Sequence, residues 1–193
     1  MTDWLKQKGL PAVSFSEPTH GAYGKRLREI ILHGRGTITP QEEMDLFLKD
    51  REEDVQKYIL PALRQNSIVI MDRYYYSNMA YQGALEIDVN HIQDLNEKIA
   101  PRPDMVIILD LDAQVGLHRI NTFRREKENS FEKADYLQKV SQIFRQMKGD
   151  YIYHIPASFP LEEVNAAIDQ KIMDLLQKNP ARTKADPGNQ GRE

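Results

Sequence analysis

The apolar run Ile68-Val-Ile-Met71 ends abruptly in a carboxylate and a guanidinium, Asp72 and Arg73. A buried parallel strand reads as such a continuous run. Open α/β sheets bind their ligands beyond the carboxyl ends of the strands. At that position a planar guanidinium can match phosphate oxygens bidentately, and a carboxylate suits a hard divalent cation, directly or through water. The plainer alternative is a salt bridge that caps the strand end. The histidines, at 20, 33, 91, 118 and 154, fall at no metal-ligand spacing with one another or with carboxylates, so they read as structural or surface residues rather than a zinc site.

The elements that must position this pair are legible in the pattern. Residues 2 to 8 read as the last turns of a helix stopped by Gly9 and Pro11, and Ala12-Val-Ser-Phe-Ser16 as a short strand. Glu17 to Gly24 form a loop, followed by a helix from about Lys25 to Leu32. Thr39, Pro40 and Glu42 combine an N-cap hydroxyl, a proline at the first helical position and a capping-box glutamate, which predicts the start of a long helix. That helix carries Met44, Phe47, Leu48, Arg51, Val55, Tyr58 and Ile59 on one face, and Pro61 should kink or end it. A helix over 89–100, a second buried strand over 105–111, a helix over 113–124, a charged connector over 124–130, a helix over 131–148, a strand over 152–155 and an amphipathic helix over 160–176 follow. Strands alternating with helices predict one α/β domain over 1–178 with a parallel sheet and right-handed crossovers. The polar tail 179–193 cannot bury enough surface to order itself.

Composition narrows the partners. The 193 residues are 40% hydrophobic, enough for one sizeable core, and the formal net charge of -3 supplies no overall positive field for nucleic acid or an anionic membrane. Without cysteine there is no disulfide framework and no thiolate metal site. No apolar run approaches the roughly 20 residues of a membrane span, and the start lacks a signal peptide's apolar segment, so a cytoplasmic protein is expected.

The string Asp72-Arg73-Tyr74, Ser77-Asn78 and Tyr81-Gln82-Gly83 resembles the central motif of the thymidylate kinase family, D-R-Y-x-x-S-x-x-A-Y-Q-G. Further segments match in the family's order: Glu17-Pro18 with Gly21, Gly24 and Arg28; Leu46-Phe47-x-x-Asp50-Arg51; Pro61-Ala62-Leu63; Arg102-Pro103-Asp104 before Leu109-Asp110-Leu111; Arg119; and Phe131-Glu132. Together they cover roughly residues 2 to 175. The resemblance implies a P-loop NTPase-like three-layer α/β/α fold and phosphoryl transfer from ATP to dTMP, with Mg2+ and a homodimer. It also implies roles. Arg73 clamps the acceptor phosphate and Asp72 holds or orients Mg2+. Phe47 and Arg51, four residues apart on one helix face, stack on the base and donate to its carbonyl edge; the plain alternative is a core phenylalanine beside a solvated arginine. Asn78 reads the pyrimidine edge, and Tyr81 packs under the deoxyribose and crowds out a 2′-hydroxyl; outside the resemblance, either residue reads as structural. Glu17-Pro18 lies beside the acceptor phosphate. Arg119, Arg124 and Arg125 belong to a lid over the transferred group, Arg119 and Arg124 also meeting the nucleotide donor; Arg124 and Arg125 could equally be a solvated charged face. Glu132 matches the acidic residue after the lid.

One part of the family pattern has no counterpart. The sequence contains no G-x-x-x-x-G-K-[ST] loop, whose amides would cradle the donor phosphates. Gly21-Ala-Tyr-Gly24-Lys25 imitates it, but Thr19 stands at the first glycine position and Arg26 at the Ser/Thr position. The match begins inside the helix that should follow that loop, so the sheet is expected to lack its central first strand. Three explanations fit: a start recorded too late, a non-catalytic nucleotide-binding relative, or a fragment completed by another polypeptide. At most trace kinase activity is expected of the chain as given. A deoxynucleoside kinase is a further alternative, with Glu17 as the nearest general base for a 5′-hydroxyl.

Overall fold

The computed structural model describes residues 1–112, 114–116 and 130–178, with the backbone alone at 130–133. In chain order the elements are α1 (Thr2–Gln7), β1 (Ala12–Ser16), α2 (Ala22–His33), α3 (Pro40–Asp54), a π-helical turn (Val55–Ile59), α4 (Leu60–Arg64), β2 (Ile68–Asp72), α5 (Tyr75–Gly83), α6 (Val89–Glu97), β3 (Val106–Asp110), α7 (Ser130–Gln146), β4 (Ile152–Pro156) and α8 (Leu161–Lys178).

Local chemistry sets most of these bounds. Thr39 caps α3 by accepting from the Glu42 N–H at 3.2 Å, while the Glu42 carboxylate accepts from the Thr39 N–H at 2.8 Å. Gly21, in extended backbone, caps α2 and starts it three residues before the expected Lys25. Pro61 does not end the long helix. The π-helical turn just before it, with Leu60 N–H donating to Val55 O, widens the backbone so that the proline ring fits at the start of α4. Asp88 caps α6 through the His91 N–H at 2.8 Å.

The four strands form two parallel pairs. Ala12 to Ser16 run in register with Ile68 to Asp72, and Val106 to Asp110 with Ile152 to Pro156. Both pairs bury side chains in the same two clusters, which makes them the middle of three layers. Phe15, Val69, Met71, Val106, Ile108 and Ile152 pack with Met44, Val55, Tyr75, Ile92 and Val140 on one side. Ala12, Ile68, Ile70, Ile107 and Ile155 pack with Leu5 of α1 and Val164, Ile168, Ile172 and Leu176 of α8 on the other.

Two expectations are corrected. The strands over 68–72 and 105–111 read as buried, yet Ile68 to Met71 of β2 are only half-buried and Leu109 of β3 is 52% exposed. Among the described residues no ladder joins one pair to the other, so each keeps edges that no strand covers. Tyr58, placed on the buried face of the long helix, is 54% exposed and only leans on Phe15, ring centroids 5.9 Å apart; the π-helical turn rotates the helix face at this point. The expected helix over 113–124, the connector and the tail lie largely outside the described residues.

Candidate functional site

The carboxyl ends of β1 and β2 come together. The Glu17 N–H donates to Asp72 O at 3.2 Å, one step beyond the strands, which sets the Glu17 loop beside Asp72 and Arg73. Both Asp72 and Arg73 are exposed, and among the described residues no ion pair joins them. Arg73 is held at φ 67, in the left-handed region where a side chain costs about 1–3 kcal/mol. Its guanidinium lies 5.6 Å from the centroid of the Tyr81 ring. An exposed guanidinium on strained backbone, backed by an aromatic ring at a strand end, can meet an oxyanion without giving up an ion pair among the described residues.

The Glu17-Pro18 bond is cis, and the loop behind it is pinned from two helices. Asp50 of α3 accepts from the Thr19 N–H at 2.7 Å and from the Thr19 hydroxyl at 2.5 Å. Arg28 of α2 donates to Pro18 O and, at 3.4 Å, to Thr19 O. α2 can approach this closely because residue 24 is glycine: a Cβ there would lie 2.0 Å from Thr19 O. Gly24→Ala is therefore expected to destabilise the chain by at least about 3 kcal/mol, read by urea unfolding. A loss under 1 kcal/mol would show that the loop yields freely.

Beneath this loop lies a buried polar network. Arg51 is 1% exposed. Its guanidinium meets both Glu17 oxygens, Nε at 3.1 Å from Oε1 and Nη2 on Oε2, and its Nη1 donates to Asn78 Oδ1 at 2.6 Å and to Asn96 Oδ1. The Asn78 amide passes a bond to Gln82 at 3.0 Å, and that of Asn96 to Ile92 O at 2.8 Å. The plain alternative of a solvated arginine is thus overturned, and the guanidinium is turned inward onto these partners instead of into open space. Four of its five N–H donors are taken, because a buried charge is tolerable only when paired and bonded.

Glu17 and Asp54 both feel the charge of this one guanidinium, and Asp50 opposes a negative charge on each of them. Burial pushes the Glu17 carboxyl up from 4.5 to about 7 against the opposing pull of Arg51. Burial, then Asp50, raises Asp54 from 3.8 to about 6, and its Oδ2 has no hydrogen-bond partner among the described residues. The folded chain consequently binds more protons than the unfolded chain between those values, and stability falls as pH rises through them. From pH 5 to pH 8 the Glu17 contribution is expected to decline by on the order of 3 kcal/mol. Glu17→Gln should flatten that decline in urea unfolding at the two pH values; an unchanged slope would remove Glu17 as its source.

The structure thus assembles Glu17, Pro18, Arg51, Asp72, Arg73, Asn78 and Tyr81 around the ends of β1 and β2, with Phe47 half-buried on α3 a turn before Arg51. Arg119, Arg124 and Arg125 lie outside the described residues, as does the side chain of Glu132 in the first turn of α7. Asn96 and Asp54 are members that sequence reading missed. A polar residue four positions after Ile92, on the apolar face of an amphipathic helix, was the available signal for Asn96. No group of three metal-ligating side chains converges among the described residues. Asp72 as a single exposed carboxylate still fits Mg2+, which keeps most of its waters and takes few protein ligands.

Parallel strands sandwiched between helices, with charged groups gathered at their carboxyl ends, define an α/β ligand-binding fold of the nucleotide-handling class. The thymidylate kinase family model matches residues 1–168. A probable thymidylate kinase of Archaeoglobus fulgidus is 41% identical over 176 residues, 91% of this chain and 87% of that protein. The thymidylate kinases of Desulfotalea psychrophila and Brachyspira hyodysenteriae are 41% and 39% identical, each spanning 87% of the relative. The chain belongs to the thymidylate kinase family, transferases with the P-loop NTPase-like α/β fold. Among the described residues no helix is long and apolar enough to cross a membrane.

Proposed function

We propose that the chain binds dTMP as phosphoryl acceptor and that its function is transfer of the γ-phosphoryl group of ATP to dTMP, giving dTDP and ADP. The observation that carries this reading is Arg73, strained, exposed and backed by Tyr81 at the end of β2. A phosphate oxygen of dTMP, held by Arg73, attacks the γ-phosphorus while the bond to the ADP oxygen breaks. Positioning and charge neutralisation supply most of the acceleration. Mg2+, when bound, neutralises the phosphate oxygens, and Asp72 would hold it directly or through water. Glu17 and Pro18 shape the wall beside the acceptor phosphate, Phe47 stacks on the thymine, and Arg51 and Asn78 read its edge by exchanging part of their mutual bonding for the base. Tyr81 packs under the deoxyribose. Arg119, Arg124 and Arg125 close over the transferred group, Arg119 and Arg124 also meeting the nucleotide donor, and Glu132 serves substrate binding. Exposed Ile31 and Leu32 on α2, at 57% and 75%, suit burial in a homodimer, and the chain works in the cytoplasm.

Calorimetric titration of the chain with dTMP, thymidine and dCMP tests the acceptor reading. dTMP should bind at least about a hundredfold more tightly than thymidine, the worth of one charge-assisted bidentate phosphate clamp; equal affinities would overturn it. The absence of a G-x-x-x-x-G-K-[ST] loop from the sequence favours a second reading, dTMP binding without turnover. A coupled assay for ADP formation by the same chain separates the two, since steady turnover excludes the second.

A further inference from the structure

A second polar chain runs toward the same site from the other side of Tyr81. Arg35 stands between Gly34 and Gly36, at φ 86 and 56, in the connection from α2 to α3. Its Nε donates to the buried carboxylate of Glu43 at 2.6 Å, and its Nη2 to the Tyr136 hydroxyl of α7 at 3.0 Å. The guanidinium also lies 5.2 Å from the Tyr136 ring centroid. The Tyr136 hydroxyl donates in turn to the backbone carbonyl of Tyr81 at 3.0 Å, in the last turn of α5, where carbonyls lack intrahelical donors. The rings of Tyr136 and Phe144 meet Tyr81 edge-on, centroids 6.3 and 6.4 Å away.

The direction of this chain is forced. A guanidinium only donates, so the Tyr136 oxygen must accept from Arg35 and spend its single proton on Tyr81. Glu43 fixes the guanidinium, and bonds aligned in series polarise one another. Tyr81 is thereby fastened by its backbone and wedged at its ring edges. Excluding a hydroxyl by contact requires a ring that cannot retreat, since discrimination of this kind rests on a clash.

We infer that Arg35, Glu43 and Tyr136 form a positioning strap that holds Tyr81 against the acceptor's sugar and sets the preference for deoxyribo- over ribonucleoside monophosphates. The strap rests on the reading that Tyr81 packs under the sugar. Equilibrium binding of dTMP and of thymine ribonucleoside 5′-monophosphate tests it without any need for turnover. Tyr136→Phe keeps the ring and removes only the hydroxyl. It is expected to lower the dTMP-to-ribonucleotide affinity ratio about three- to tenfold, one hydrogen bond's worth. Arg35→Met should do the same, Arg35→Lys should not restore the ratio because it lacks the fork, and the Arg35→Met, Tyr136→Phe double variant should add little to either single change. Loss of stability alone would weaken both ligands together and leave the ratio unmoved. Tyr81→Leu separates the two levels. If it lowers the ratio while Tyr136→Phe does not, the strap is refuted and the sugar reading stands. If Tyr81→Leu also leaves the ratio unchanged, the sugar reading falls and takes the strap with it.

Discussion

Arg51→Met is expected to destabilise the chain by about 3–5 kcal/mol at pH 8 and to abolish measurable dTMP binding. The side chain is 1% exposed and holds Glu17, Asn78 and Asn96 together. Methionine fills much of the volume but leaves a carboxylate and two amide oxygens buried without their donor, and an unmet buried charge costs more than the pair contributes. The loss should be smaller at pH 5. Burial already raises Glu17 to about 7, and removing Arg51 takes away the opposing pull, so a proton replaces the guanidinium more readily in acid. Urea unfolding at the two pH values measures this. Glu17→Gln added to Arg51→Met should recover part of the loss at pH 8, since it removes the stranded charge. A change below about 1 kcal/mol at pH 8 would mean that the network contributes little.

Arg73 is expected to behave in the opposite way, strong for the ligand and unfavourable for the fold. Arg73→Ala and Arg73→Gly should each weaken dTMP binding about a hundredfold, the effect of losing a charge-assisted bidentate contact. Their stabilities should differ. At φ 67 alanine keeps the steric conflict of its Cβ with the backbone, whereas glycine has none. Glycine also loses more chain entropy on folding, so the net gain of Arg73→Gly over Arg73→Ala should be about 0.5–1 kcal/mol. Thermal unfolding and dTMP titration of the two variants give both numbers. Unchanged dTMP affinity in either would remove Arg73 from the clamp, and equal stabilities would show that the strain is relieved elsewhere.

Much of the site was legible because its signals are local. The capping box at Thr39 and Glu42 and the bounds of β1 and β2 depend on residues a few positions apart, and they appear in the structure where the pattern puts them. The same holds for Asp72 and Arg73, whose place follows from the strand that delivers them. The π-helical turn was not legible, since Pro61 announces a disturbance without saying whether the helix breaks or widens to absorb it.

By itself, then, the sequence determined the order of strands and helices, the charged pair at the end of β2, and the family, because ordered motifs and periodicity survive without coordinates. Tertiary structure decided which way those residues face. Whether Arg51 meets solvent or is enclosed depends on Asn78 and Asn96, 27 and 45 residues away. Whether Tyr81 is braced depends on Tyr136 and on an arginine 101 residues from it. Helical spacing places a side chain on a face, but the burial that demands a partner, raises the Glu17 carboxyl and turns the arginine inward arises only when distant elements exclude water together.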